Sequence, residues 1–508
     1  MIDFALLLPG LIFLPAALGF IGCIFPRPIF YISVLLLLGY ACLTFNLVGA
    51  DVSYVFTLVG TGGIQFSVDT YTFPLVFGSA ITLLISFGLF AERFTHYFYQ
   101  VCLVLFSALL ISFSTVDLVS LFIALELLGF SAFLLIADRN DTKSLFHAFQ
   151  YLIGGGLAML IYLIGVIQAF TFTGTFLLAD LAKAPDTALC LIIAGLLTKS
   201  GVFLCGLWVP NIYSHAKCQS SAILSGCVTC AGIAPIARMS GALAPISNSM
   251  VVIGVISAVV AAIYAVFERE SGRALGWSSV SQLGIAILSP AYGCIYAMQH
   301  GICKALLFST LRDDNDDSNS LSNLDSTYFN NRNSPQELLR VIVFVVASLS
   351  IMGFPFLAGF ITKTWIKYDL PFEARLIYTT ASLLTSTVYA RLIFDRVSVF
   401  IKRQNLNQDT PFDLEIALND LFSKPKNYLL ILSTIFLVCS SLLFPELLTL
   451  GSIQSAVVSA ILGGILFVSV VGIQADDFVK PVTRTLDLVG APFLVAALLL
   501  ANLLYLKI

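Results

Sequence analysis

Charge is what this 508-residue sequence has least of. Asp, Glu, Lys and Arg make up 11% of it, against roughly a quarter of an ordinary soluble domain. That shortfall, with a mean hydropathy of +0.96, excludes a water-soluble globular protein. Net charge is only −3, and no basic run, aromatic-basic patch or zinc-finger spacing occurs, which excludes nucleic acid as a partner. No glycine-rich fingerprint follows a strand, and there is no iron–sulfur cysteine set or haem motif, so the sequence assigns itself no redox cofactor and no metal. The eleven cysteines are an odd number. Nearly all lie inside apolar runs, where cysteine behaves as a small hydrophobe, so they read as packing and not as disulfides. Cys227 and Cys230 spell Cys-x-x-Cys, but inside an apolar run without a βαβ context, which argues against a redox or zinc role.

What the sequence does have is long, unalternating apolar runs. About 20 such residues cross a bilayer as a helix, and within lipid the backbone must satisfy its own hydrogen bonds. The expectation is an all-α polytopic membrane protein; short alternating segments would instead have indicated a barrel. About 16 candidate spans can be drawn on the length criterion, among them 116–137, 145–171, 188–208, 220–240, 293–311, 336–366, 454–473 and 486–506. The first, 3–24, lacks a basic lead and an obvious cleavage site and is read as a retained span. Residues 50–69, "ADVSYVFTLVGTGGIQFSVD", read as a small surface hairpin with a Gly-Gly turn. The polar stretches after Leu311 and around 401–420 are too short for a catalytic domain. Gly154 to Gly156 read as a helix-packing patch.

Numbering the spans exposes a charge asymmetry. Most of the 26 Lys and Arg fall in or beside the odd-numbered connections, Arg93, Arg139, Lys143, Lys217, Arg269 and Arg273 among them, whereas Lys183, Arg238, Lys367, Arg375 and Lys507 lie on the other side. By the positive-inside rule the odd connections are cytoplasmic and both termini are not. Lys199, Lys304 and Lys363 fit neither side, because each lies within a span. Glu126 does too, in "SLFIALELLGFSAFLL", and His300 precedes Lys304 by one helical turn on the same face. Asp117 is nearer the end of its span.

An ionisable group at mid-membrane costs about 2.5–3.5 kcal/mol on insertion scales and normally faces a bundle interior or a wet cavity with a partner. Desolvation disfavours the charged form of an acid or an amine, and a nearby opposite charge favours it. A buried Glu–Lys pair is therefore a two-position electrostatic switch, and a row of such groups is a proton path. Plainer readings compete. Lys363, a few residues from Lys367 and Asp369, can snorkel to the interface; His300 alone would be a satisfied core residue; Glu126 can belong to a purely structural pair.

Over roughly residues 65–400 the chain resembles the antiporter-like subunits of respiratory complex I and the related Mrp sodium/proton antiporters. "FIALELLGFSAFLLIA" resembles that family's Leu-Glu span and places Glu126 on its key acid. "LLTKSGVFLCGLWVPNIYSHAKCQSSAILSG" resembles Lys-Ala-Gly-x-x-Pro-x-His-x-Trp-Leu-Pro-Asp followed by Pro-Val-Ser-Ala-Leu-Leu-Ser-Gly. In it Lys199, Trp208, Pro210, Ser221, Ala222, Leu224, Ser225 and Gly226 fall in register. "RALGWSSVSQLGIAIL", "HGICKALLF" and "MGFPFLAGFITK" resemble three further family stretches in the same order. The resemblance implies 14–16 transmembrane helices with two inverted five-helix repeats. It also implies broken seventh and twelfth spans carrying Lys199 and Lys363, Glu126 and Lys199 as a coupled pair, Lys304 with His300 as central relay, and Lys363 as the gate to the far surface. The implied divisions are 1–96 (N-terminal helices and hairpin), 97–240 and 241–400 (the repeats), and 401–508 (polar loop and C-terminal helices).

The departures are specific. The family's eighth-span lysine is Cys230 here, the lysine before its Arg-Leu-Leu-Ala-Tyr is Gly272, the broken-helix proline and histidine are Leu204 and Gly206, and the Asp after Trp-Leu-Pro is Asn211. Losing the amine at Cys230 opens a gap between Lys199 and Lys304, for which Ser225 and Thr229 are candidate bridges. The resemblance implies an integral membrane protein of a bacterial-type cell membrane or a thylakoid or organellar inner membrane, without a cofactor of its own. Its partners would be the bilayer, other membrane subunits of a hetero-oligomeric complex, and protons, with sodium as a candidate exchange ion. The Trp-Val-Pro to Ser-Ala-Ile-Leu-Ser-Gly block, and the absence of a long amphipathic lateral helix after residue 450, read closest to the Mrp D-type subunit. A proton-pumping subunit of an NAD(P)H:quinone oxidoreductase, a transport-impaired scaffold subunit and a stand-alone solute carrier are the alternatives.

Overall fold

The computed structural model describes residues 4–26, 28–45, 47–48, 53–57, 64–90, 96–203, 205–311, 335–406, 425–439 and 447–470. Helices dominate, as the apolar runs predict. α1 (Phe4–Ile24) and α2 (Ile29–Phe45) lead to β1 (Tyr54–Thr57) and β2 (Gln65–Val68), which pair antiparallel with Tyr54 opposite Val68 and Thr57 opposite Gln65. The expected hairpin is present; its Gly-Gly turn lies outside the described residues. Then come α3 (Thr72–Phe90), α4 (His96–Ser114), α5 (Leu118–Ile136), α6 (Thr142–Thr173), α7 (Asp186–Lys199), α8 (Trp208–His215), α9 (Cys218–Gly226) and α10 (Ile233–Arg238). The rest are α11 (Ser247–Phe267), α12 (Ser271–Ala286), α13 (Gly293–Thr310), α14 (Pro335–Met352), α15 (Ala358–Asp369), α16 (Phe372–Leu406), α17 (Pro425–Cys439) and α18 (Leu450–Val470). Six described stretches are long and apolar enough to cross a membrane by length and composition. The chain is an all-α, multi-pass integral membrane protein. The expected span 486–506 and the substituted Leu204 lie outside the described residues.

Two spans are interrupted as expected, and by the same device. α7 stops at Lys199, with Gly201 at φ +70°. Gly201 N–H donates to the Thr198 carbonyl and Val202 N–H to that of Leu197. α14 stops at Met352, with Gly353 at φ +83°; Gly353 N–H donates to Ser350 and Phe354 N–H to Leu349. Both are Schellman closures, in which a left-handed glycine turns the chain and satisfies carbonyls that the ended helix leaves open. Inside a membrane those bonds decide whether a break is affordable at all.

A third interruption falls inside an expected span, which is present over Cys218–Arg238. The expected span 220–240 is α9, a 3-10 turn at Val228–Cys230, then α10, so the Cys-x-x-Cys pair closes a turn and does not ride one continuous helix. A β-carbon at Gly226 would stand 2.9 Å from the Gly301 carbonyl and 2.7 Å from Thr82. The bare backbone lets α9 press against α13 and α3, and the turn follows directly after Gly226. Asp117 also resolves plainly: it caps α5, its Oδ1 accepting from Ser120 N–H at 2.7 Å while Thr115 donates to Oδ2 at 3.1 Å.

The hairpin is tied to the bundle by charge. Arg238, closing α10, donates through Nε to Asp69 Oδ2 at 3.0 Å and through Nη2 to Asp69 Oδ1 at 2.8 Å and the Ser67 carbonyl at 3.2 Å. Burial pushes the Asp69 carboxyl up, but the Arg238 guanidinium and the Thr72 hydroxyl and N–H more than offset this and hold it below the usual carboxylate value. A carboxylate so depressed lends stability that is complete above its unfolded value and drains away as pH falls through the folded one. Asp69→Asn should lower stability at neutral pH by about 2–4 kcal/mol and flatten the acid limb of a thermal-unfolding series in detergent. An unchanged acid limb in the variant would show that the pair does not hold the hairpin.

Candidate proton path

Glu126 and Lys199 meet. The Lys199 ammonium lies 3.7 Å from Glu126 Oε1. Lys199 is buried, whereas the Glu126 side chain keeps 39% of its surface on the flank of α5, between exposed Ile123 and Phe130. Lys199 is the last helical residue of α7, where the carbonyl ends of the helix favour a cation. The room for its head group comes from two glycines on other helices. A β-carbon at Gly129 on α5 would stand 2.6 Å from Nζ, and one at Gly155 on α6 would stand 3.2 Å from it. The glycine run read as a packing patch is thus also a cradle for the amine. Tyr151, one turn before Gly155, puts its ring 5.9 Å below Nζ, within cation–π range. Its hydroxyl is buried beside the Glu126 charge without a hydrogen-bond partner. Trp208, opening α8, packs edge-on against Tyr151 at 5.0 Å and donates Nε1–H to the Thr198 carbonyl at 3.4 Å, bracing the end of α7.

The second group gathers around α13. Lys304 is fully buried and donates to the Leu275 carbonyl at 2.7 Å, with Nζ 5.7 Å from the Tyr389 ring centroid. His300 is equally buried, and neither ring nitrogen has a hydrogen-bond partner. An unpartnered buried imidazole costs free energy. Both Lys304 and Lys363 act on His300 electrostatically. Lys363 sits on α15, past the second break, and reaches back to donate to the Met352 carbonyl, 3.4 Å away, at the end of α14. Lys363 does not snorkel; it is buried at the break.

Between the two groups Cys230 presents a thiol in place of an amine, facing the Gly226 and Ala297 carbonyls, both at 3.8 Å. Hydroxyls fill the space. Tyr213 faces Thr229 and Ser225 without closing a well-formed hydrogen bond. Ser225 lies 3.0 Å from Ser279, and Ser279 donates at 3.0 Å to the Leu275 carbonyl, the same oxygen that holds Lys304. Ser278, just before it in the chain, lies 2.7 Å from the Tyr389 hydroxyl. Gly272 is accounted for locally: a β-carbon there would stand 3.3 Å from Ser214 Cα, so the start of α12 abuts α8.

The sequence reading missed Gly129, Gly155, Tyr151, Tyr213, Ser279 and Tyr389. Tyr151 and Gly155 share a face of α6 by their spacing, but nothing in the sequence says that Lys199 lies against that face. No group of three or more His, Cys, Asp and Glu able to hold a metal occurs among the described residues.

Buried amines at two helix breaks, one paired with an acid and joined by hydroxyls to the other group, define a polytopic membrane protein with ionisable groups strung along its interior. The profile of the family described as "NADH:quinone oxidoreductase/Mrp antiporter, TM" matches residues 115–385, and the chain belongs to that family. It is similar to NADH-quinone oxidoreductase subunit N of Desulforudis audaxviator, 28% identical over 371 residues, 66% of this chain and 72% of that one. It also resembles NADH-quinone oxidoreductase subunit N 2 of Solidesulfovibrio magneticus, 26% identical over 276 residues, 50% of this chain and 58% of the relative. In fold it matches a chain of the Mrp complex from Dietzia sp. DQ12-45-1b with TM-score 0.72 and 18% identity, over 92% of this chain and 100% of the other.

Gly129→Ala should leave the protein folded, because the colliding atom is the free end of a lysine and alanine favours helix by about 1 kcal/mol. Displacing the ammonium should still slow ion transport by on the order of tenfold or more. Measuring transport and thermal stability on the same membranes checks both halves; full transport with the methyl in place would show that the cradle is idle.

Proposed function

We propose that this chain translocates protons across the membrane as one subunit of a larger complex, along Glu126, Lys199, Lys304, His300 and Lys363. The observation that carries this reading is the 3.7 Å approach of Glu126 to Lys199 at a helix break. When the carboxylate is near, the amine keeps its proton; when the carboxylate is neutralised or drawn away, desolvation favours release. Released protons have the Tyr213, Ser225, Thr229 and Ser279 hydroxyls to cross, which pass protons without storing them. Storage resumes at Lys304 and His300, and Lys363 at the second break gates the far side. The divisions 97–240 and 241–400 are proposed as two repeats, supported by the matching glycine closures at Gly201 and Gly353. The termini are proposed to lie on the non-cytoplasmic side, supported by the charge asymmetry of the loops.

Two readings of what drives the protons follow from different observations. The block from Trp208 to Gly226 favours an Mrp D-type subunit exchanging protons for sodium. The printed names of the curated relatives, subunit N of NADH-quinone oxidoreductase, favour a quinone-linked pump. The fold likeness, at 18% identity, does not separate them. Transport in inverted membrane vesicles does: sodium-dependent exchange supports the first, quinone-linked acidification indifferent to sodium the second. In either setting Glu126→Gln and Lys199→Ala should each cut proton flux by about tenfold or more with the complex still assembled. Undiminished flux in both variants would leave only a scaffold role.

A further inference from the structure

Two of the four histidines touch each other, and neither belongs to the path described above. His147, near the start of α6, and His215, the last residue of α8, lie with ring centroids 4.3 Å apart and planes inclined by 36°. His147 is buried, with Nδ1 3.1 Å from Gln150 Oε1. His215 is half-buried, with Nδ1 2.8 Å from the Asn211 carbonyl and 3.0 Å from the Ser214 hydroxyl. A carbonyl only accepts, so Nδ1 of His215 carries the hydrogen and its other nitrogen offers a lone pair. The surroundings belong to the loops that the charge asymmetry assigns to the cytoplasm. Lys217, two residues on, bridges to Asp138 at 2.8 Å. Glu270, just before α12, faces His215 and is itself flanked by Arg273 and Glu268.

The position along α6 gives the pair its meaning. His147, Tyr151 and Gly155 follow one another at four-residue steps, about 6 Å each along the axis, on one face. The Tyr151 ring centroid is 5.9 Å from the Lys199 amine, and a β-carbon at Gly155 would stand 3.2 Å from it. The histidines therefore stand at the mouth of the same stripe that ends on the proton-bearing lysine.

We propose that His147 and His215 form a shared proton-loading station that feeds Lys199 from the cytoplasmic surface. The inference rests on the proton-translocation reading above. Two adjacent imidazolium rings repel, so the pair takes up one added proton as a unit. That proton arrives from water, occupies a ring nitrogen, and leaves for the amine of Lys199, when the latter is neutral, through water molecules along the Tyr151 face of α6, each O–H bond broken in the file being re-formed at the next oxygen; the pair returns to its uncharged form. Glu270 supports the charged state from the α12 side. Histidine is suited to the task because it alone among unperturbed side chains changes charge near neutral pH. Nothing in the sequence spacing brings residues 147 and 215 together, so the pair is visible only in the fold.

The test is the pH profile of proton uptake in vesicles carrying the whole complex. Replacing both histidines by glutamine keeps polar contacts and removes titration. Loading limits the rate when protons are scarce, so uptake should fall about fivefold near pH 8.5 and by about twofold or less near pH 6. Millimolar imidazole in the cytoplasm-facing medium should restore part of the loss. A profile parallel to the wild type at every pH, with no response to imidazole, overturns the station. If the double variant fails to assemble, His215→Gln alone carries the same comparison, since that ring is half-exposed. Glu126→Gln run alongside separates the two ideas: its full activity would sink the translocation reading, whereas its inactivity together with a parallel His profile would sink only the station.

Discussion

A buried amine set against the carbonyl end of an interrupted helix is the constraint from which the rest of this structure follows. Lys199 closes α7 and Lys363 reaches the last carbonyl of α14. In each case the break is made by a left-handed glycine that returns two N–H groups to the helix just ended. An ammonium away from water needs negative potential, and the helix end supplies part of it without adding a second full charge. Of these two amines, Lys199 alone has a carboxylate within 4 Å among the described residues. The two breaks are thus alike in backbone and unlike in electrostatics. One amine is answerable to an acid that can change state, and the other is held by fixed dipoles.

The stretch between them shows how a lost group is accommodated. Where the family pattern has an amine, the chain has the Cys230 thiol inside a turn, facing two carbonyls. Hydroxyls from α8, α9 and α12 converge beside it, and the Leu275 carbonyl is shared by Ser279 and Lys304. Conduction through such a stretch is a matter of orientation more than of affinity, because a hydroxyl accepts and donates without holding charge. In the proposed path storage falls to the two ends, and the middle is left the part of a connector.

Much of this architecture was legible in the residues themselves. The apolar runs announced helices, the intramembrane Glu126, Lys199, His300, Lys304 and Lys363 announced an interior that holds charge, and the ordered motifs announced the breaks. The interruption at Val228–Cys230 was not legible, nor was the close approach of Gly226 to Gly301 just before it, a contact between helices far apart in sequence. The same holds for Gly129 and for the His147–His215 pair: each becomes meaningful only once a distant helix supplies the atom it faces. Periodicity reports the face a helix turns inward, not what stands opposite it. Gly155 shows the ambiguity well, since a small residue that serves packing and one that shelters an ammonium look identical in one dimension.

The glycine cradle has a consequence for how the molecule can move. One lysine tip occupies hollows on α5 and α6 at once while its own backbone belongs to α7. Sliding α5 by a single residue would bring the side chain of Leu128 or Phe130 toward the hollow that Gly129 leaves, whereas α6, with glycine at 154, 155 and 156, keeps a hollow through such a step. The amine therefore acts as a keying pin chiefly for α5, whose slippage against α7 meets a side chain at the lysine tip, while the glycine run leaves α6 freer to shift.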